Sequence, residues 1–180
     1  MSLSEILILA VALALDALIV SFSYGMILKE NRITNSLKLA LAFGFFQFLM
    51  PVLGWNFTGL VYEFIKDYSK WIVFTVFLFL GFKFIKEAFE NEKPADICGI
   101  SFSCLMILAI ATSIDAFGAG VSIKCLNSAV LFPSVIIGIV TFTLSISGFF
   151  ASCIFKKFPS VYIELTGALL LIYLAIKSVL

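Results

Sequence analysis

The placement of charge restricts this chain more than any other feature. Its 12 basic and 11 acidic residues gather in short stretches, and long apolar runs lie between them. Each run is close to the ~20 residues that carry a helix across a ~30 Å hydrocarbon core at ~1.5 Å per residue. Six spans are expected. The first covers 6–28, bounded by Glu5 and Lys29, with Asp16 its only charge. The second lies between Lys38 and Glu63, with Pro51 near its middle. The third covers 71–89, where Lys83 and Lys86 can snorkel to the headgroups. The fourth, 101–123, is interrupted only by Asp115. The fifth runs from Asn127 to Phe155 and is closed by Lys156-Lys157-Phe158-Pro159. The sixth occupies 160–180, with Glu164 near its start.

Composition agrees. Hydrophobic residues make up 62% and charged ones 13%, against about 45–50% and about 25% in soluble domains. A water-soluble core of this length cannot hide so much apolar surface. The expected fold class is therefore all-α, a polytopic membrane protein with residues 1–180 as a single transmembrane domain. No basic segment precedes Glu5, so the first run reads as a span rather than a cleaved signal. A net charge of +1 gives no footing for nucleic acid. Cys98, Cys104, Cys125 and Cys153 form no CxxC and there is no His, which leaves little support for a disulfide or a zinc site.

The chain also repeats itself. Residues 8–17 read ILAVALALDA and residues 107–116 read ILAIATSIDA, aligned without a gap and with Asp16 and Asp115 in register. The match extends to Ser23 and Ser122. In the next pair of spans Gly44, Gln47, Phe48, Pro51 and Gly54 line up with Gly138, Thr141, Phe142, Ser145 and Gly148, and later Lys83 lines up with Lys177. The expected repeats are 1–92 and 97–180. Three spans each is an odd number, so the second copy must enter the membrane upside down. Inverted repeats are common in secondary transporters, whose sites lie near the midplane between the copies; channels are built this way too. Eight basic residues (Lys29, Arg32, Lys38, Lys83, Lys86, Lys93, Lys156, Lys157) fall on one side and four (Lys66, Lys70, Lys124, Lys177) on the other. The richer side should be cytoplasmic, which places both termini outside.

Asp16 and Asp115 are the principal functional candidates. A carboxylate at mid-membrane costs about 2.5–3.5 kcal/mol on the insertion scale, so a symmetric pair calls for a compensating role. Two carboxylates brought together repel unless a cation or a shared proton lies between them. The plainer alternative is that each is satisfied by hydroxyl neighbours and binds helices together. Ala12, Asp16, Ile19 and Ser23 share one helical stripe; Ala111, Asp115, Gly118 and Ser122 share another, flanked by Thr112, Ser113, Ala119 and Gly120. The 118–120 segment suits close helix approach, or local unwinding. Pro51 displaces the carbonyl of Gln47, so Gln47 offers two neutral oxygens, or else a packing kink with its amide tied to a neighbour. Thr141 and Ser145 add hydroxyls. The metal-ligating candidates are thus Asp16, Asp115, Gln47, Thr112, Ser113 and Thr141. An all-oxygen set of this kind suits hard cations such as Mg²⁺, Ca²⁺ or Mn²⁺.

These residues carry a resemblance. Leu15-Asp16-Ala17, Phe43-Gly44-Phe45-Phe46-Gln47, Met50-Pro51, Gly54-Trp55, Phe79-Leu80-Gly81 with Lys83 and Glu87, and Ala111-Thr112-Ser113-Ile114-Asp115-Ala116 are similar to the manganese efflux pumps of the MntP type, within the LysE exporter superfamily. The resemblance covers nearly the whole chain. It implies export of Mn²⁺ from a bacterial cytoplasm across the plasma membrane, with Asp16 and Asp115 matching the family's intramembrane acids. Gln47 stands where some members carry Glu, which removes a charge.

The functional expectation is a secondary exporter of Mn²⁺ or a similar divalent cation, working by alternating access. Manganese would be cargo and not a cofactor, the bilayer the other partner, and a homodimer is left open. Two readings compete: an exporter of small organic solutes such as amino acids, which lacks a midplane Arg or Lys, and a passive channel or scaffold. An enzyme has the least support, without a nucleophile motif or cofactor fingerprint.

Overall fold

The computed structural model describes residues 1–28, 30–65 and 102–154, together with isolated helical positions within 71–86 and 169–176. Most of the expected third and sixth spans, including Lys83, Glu87, Glu164 and Lys177, lies outside the described residues, as do Cys98 and the side chain of Cys104. The described elements are all helical: α1 (Leu3–Ile27), α2 (Arg32–Ile65), α3 (Phe102–Ala111), α4 (Ile114–Cys125) and α5 (Leu131–Ala151). α1, the 32–60 part of α2, and α5 are each long and apolar enough to cross a membrane. α3 and α4 form a fourth span if the pair, bent by 41°, is counted as one. The chain is an integral membrane protein.

Local chemistry sets the helix ends. Ser2 and Glu5 form a capping box at the start of α1, with the Ser2 N–H donating to Glu5 Oε2 at 2.9 Å. After α1 the chain reverses through Asn31 in the left-handed region (φ 47°), and Arg32 Nη2 donates to the Gly25 carbonyl at 2.9 Å. That bond takes up one of the carbonyls a helix C-terminus leaves without a partner. Asn127 (φ 52°) ends α4 in the same conformation. α2 continues through Pro51 without a break.

The helices are apolar on nearly all sides; the interior holds large apolar groups such as Phe22, Phe43 and Phe149 together with the buried polar Gln47, Ser113 and Thr141. Large side chains such as Ile107, Ile114, Phe132 and Ile139 are exposed, as expected where lipid is the solvent. α1 lies against α5, α4 lies against α2, and α2 crosses α5. Glycines mark the closest approaches, as is usual between membrane helices. A Cβ at Gly44 would stand 3.0 Å from the Gly138 carbonyl oxygen and 3.1 Å from Phe142 Cβ. One at Gly138 would stand 2.9 Å from the Gly44 carbonyl oxygen and 3.0 Å from Phe48 Cβ. The contacts are reciprocal. Gly54 presses on the Phe117 carbonyl and Gly148 on the Leu18 carbonyl. Leu18 and Phe117 occupy the same register in the two aligned segments.

Candidate intramembrane cation site

Near the α2–α5 crossing, one side chain connects the two aligned segments. Gln47 is fully buried, and its Nε2 donates to the Leu13 carbonyl at 3.2 Å and to the Thr112 carbonyl at 3.0 Å. Leu13 and Thr112 are in register, each three residues before its aspartate, so a single amide nitrogen joins the turns that lead into Asp16 and Asp115. The Gln47 Oε1 is buried and has no hydrogen-bond partner among the described residues.

The two aspartates share a local bond. Asp16 Oδ1 accepts from the Ala17 N–H at 2.6 Å and Asp115 Oδ1 from the Ala116 N–H at 2.8 Å. Their surroundings differ: Asp16 is half-buried on an unbroken helix, whereas Asp115 is 3% exposed in the first turn of α4. There the N-terminal end of the helix dipole favours negative charge.

The break just before Asp115 has a visible cause. Thr112 Oγ1 donates to the Leu108 and Ala109 carbonyls at 3.1 and 3.2 Å, and Ser113 Oγ donates to the Ala109 carbonyl at 2.7 Å. Adjacent hydroxyls returning to the preceding turn compete with the backbone ladder and bend helices. The Ser113 N–H accordingly bonds three residues back, to the Ile110 carbonyl at 3.1 Å. Leu13 and Ala14, at the matching place in α1, carry no hydroxyl. The unwinding allowed at 118–120 is not seen; that stretch is helical, and Gly120 is pressed against the backbone of Pro51. Close packing is therefore its role.

Of the expected ligands, Gln47 reaches Thr112 directly, through its backbone carbonyl. Ser113 and Thr141 are fully buried, Ser113 back-bonded and Thr141 with no hydrogen-bond partner for its hydroxyl among the described residues. The principal helix pairs are α1/α5, α2/α5 and α2/α4, so the two acid-bearing segments are joined through Gln47 rather than packing as a pair. Among the described residues no three of His, Cys, Asp and Glu converge, which leaves neutral oxygens to complete any cation site there. Sequence reasoning missed two backbone carbonyls, those of Leu13 and Thr112, because carbonyls leave no signature in residue identity. It also missed two buried hydroxyls, Ser134, whose signal was the helical face it shares with Thr141 seven residues on, and Ser21, which gave none. Trp55 stacks under Lys124 Nζ at 3.7 Å and donates from Nε1 to the Ser128 carbonyl at 3.0 Å. Cys125 and Cys153 are free thiols.

A half-buried acid, a buried acid and neutral oxygens inside a bundle of apolar helices define the class as an integral membrane protein with a polar interior. The comparisons with known proteins narrow it further. The family described as "Mntp: Putative manganese efflux pump" matches residues 30–179. Proteins named "Putative manganese efflux pump MntP" are similar along almost their whole length. That of Methanosarcina acetivorans is 40% identical over 170 residues, covering 94% of this chain and 91% of the relative. Those of Methanobrevibacter smithii (38% over 179 residues; 99% and 97%) and Crocosphaera subtropica (40% over 182 residues; 98% and 95%) agree. The chain belongs to the MntP family of manganese efflux pumps. No solved structure matches it.

Proposed function

We propose that the protein is a secondary exporter that moves Mn²⁺ from the cytoplasm across the plasma membrane by alternating access. Residues 1–92 and 97–180 act as inverted repeats of three spans each, with both termini outside. Asp16 and Asp115 hold the ion, helped by Gln47 Oε1 and by oxygens of Thr112, Ser113 and Thr141. One observation carries this reading: the single Gln47 amide bonded to register-equivalent carbonyls of both halves, one helical turn from each acid. The reciprocal glycine contacts of α2 and α5 support the duplication, and the family's printed name supports the cargo. Carboxylate and neutral oxygen together suit a hard divalent ion.

The test is metal uptake into inside-out vesicles, comparing Mn²⁺ with Mg²⁺, Fe²⁺, Cd²⁺ and lysine. Saturable Mn²⁺ uptake that responds to an imposed ion gradient is expected. Asp16→Asn and Asp115→Asn, inserted at normal levels, should each reduce it by about 10–100-fold, the usual cost of disturbing a metal's immediate surroundings. Undiminished uptake in both variants would remove the paired-acid site. Uptake that neither saturates nor follows a gradient would indicate a pore.

A further inference from the structure

A serine or threonine inside a membrane helix has a ready acceptor in the carbonyl four residues earlier. Many hydroxyls here use it: Ser23 to Ile19 (3.1 Å), Thr58 to Gly54 (2.8 Å), Ser122 to Gly118 (3.2 Å), Thr143 to Ile139 (3.0 Å) and Ser147 to Thr143 (2.8 Å). Four do not. Ser21, Ser134, Thr141 and Ser145 are at most 1% exposed, and among the described residues none of their hydroxyl oxygens has a hydrogen-bond partner. Leaving such a group unsatisfied costs about 1–3 kcal/mol, and hydrocarbon offers nothing in return. The contrast lies within one helix. Thr143 and Ser147, on the exposed side of α5, are satisfied by their own backbone, while the three hydroxyls on its inner side are turned away from it.

Their positions are ordered. Ser134, Thr141 and Ser145 are seven and four residues apart, so they share one face of α5 with Gly138 and Gly148. At ~1.5 Å per residue they span about 16 Å, roughly half the hydrocarbon core. Thr141 lies one turn from Gly138, where α5 meets α2, and Gln47 lies one turn from Gly44 on the other side of that contact. Ser21 lies on α1 between Leu18, which meets Gly148, and Gly25, which meets Phe149 and Ser152. The row therefore turns from α2, at the level of Gly138, to α1, at the level of Gly148. On the matching α2/α4 seam the register equivalents of Ser21 and Ser145 are Gly120 and Pro51, in direct backbone contact. At that register two hydroxyls stand where the other pair has backbone against backbone, although Gly148 and Gly25 hold α1 and α5 close on either side of Ser21. The outer end of the row is fixed as well, because α5 begins at a loop where the Met1 ammonium donates to Ser128 Oγ at 3.2 Å. Ser134 is thus the hydroxyl nearest the side that holds the N-terminus.

We infer that the seam between α5 and its neighbours α1 and α2 is the route of transit, and that Ser21, Ser134, Thr141 and Ser145 receive a divalent cation still carrying part of its water shell. Hydroxyls both donate and accept, so they can bind the water around an ion without stripping it. They carry no charge, so the ion is passed along rather than trapped, as conduction through multiple weak sites requires. This rests on the exporter reading for the identity of the cargo, but not for the existence of a water-reached seam.

Cysteine accessibility tests it, in a background with the four native cysteines replaced and export retained. Ser134→Cys, Thr141→Cys and Ser145→Cys should react with a charged, membrane-impermeant methanethiosulfonate at least about tenfold faster than Thr143→Cys and Ser147→Cys, since the reactive thiolate forms where water reaches it. Mn²⁺ should slow labelling at Thr141→Cys, and Mg²⁺ should do so less. Inner-face rates no greater than those of the two outer-face controls would overturn the proposal. Fast labelling without Mn²⁺ protection or Mn²⁺ transport would keep the seam and reject manganese as its cargo. Should the cysteine-free background lose export, Ser145→Ala and Ser145→Val in the natural sequence decide. A transit hydroxyl predicts loss of export in both at normal membrane levels; unchanged export in both overturns it.

Discussion

α1 and the α3–α4 pair start from nearly the same ten residues and end in the same Asp-Ala step, yet one is unbroken and the other bends by 41° just before its acid. Four positions differ, and two of them change an apolar side chain for a hydroxyl. Leu13-Ala14 leaves the backbone ladder intact; Thr112-Ser113 sends hydroxyls back to Leu108 and Ala109, and the ladder gives way. The consequence falls on the aspartates, one half-buried in a continuous helix and the other almost fully buried in the first turn of a new one. A duplicated motif thus supplies two carboxylates in unequal settings.

The seams should show the largest contrast in stability. Gly120→Ala places a methyl against the Pro51 backbone, which no side-chain rotation can relieve. Overpacking of this sort costs about 1–3 kcal/mol, a drop of several degrees in the apparent unfolding midpoint in detergent. Ser21→Ala at the equivalent position removes a hydroxyl without a hydrogen-bond partner among the described residues, so its midpoint should stay level or rise. Equal losses at the two sites would break the comparison.

A smaller effect is expected at Gln47. Its amide supplies two N–H donors to two carbonyls, whereas an ionised Glu is acceptor-only. Gln47→Glu should therefore cost about 1–2 kcal/mol at neutral pH through the lost bonds. Part of that returns as pH falls, because a protonated carboxyl regains one donor. Thermal midpoints of variant and parent across pH would reveal it; a parallel pair of curves would deny the bridge.

That role for Gln47 marks where the sequence stops being legible. Asp16, Asp115 and the Gly44/Gly138 register were readable because a mid-membrane charge and a repeated glycine are rare enough to stand out. The helices α1, α2 and α5 were readable from length and apolarity alone, with ends displaced by up to six residues, the largest at the start of α2. Gln47 was readable as a polar group but not as a bridge, since its partners are main-chain oxygens on two other helices. The break at 112–113 was equally hidden. Consecutive hydroxyls bend a helix only when their rotamers turn back on the preceding turn, and packing decides the rotamer. The 118–120 segment suited close packing or local unwinding, and packing prevails: small residues at a helix contact are held straight by the neighbour they admit.

The subtlest prediction returns to that break. Thr112→Leu with Ser113→Ala copies the α1 sequence into the second half and removes the hydroxyls that compete with the ladder. Global stability should change by less than ~1 kcal/mol, since helix propensity gained offsets the small hydrogen bonds lost. Local stability should change more. Amides at a break open with little free energy, while those inside an intact buried helix open near the global cost. In the parent, amide hydrogen exchange at 112–116 should be faster than at 13–17, even though Asp115 is the more buried acid. In the double variant the two segments should converge. If 112–116 already exchanges as slowly as 13–17 in the parent, the bend is a rigid feature of the fold and not a joint. The two halves would then differ in shape but not in mobility.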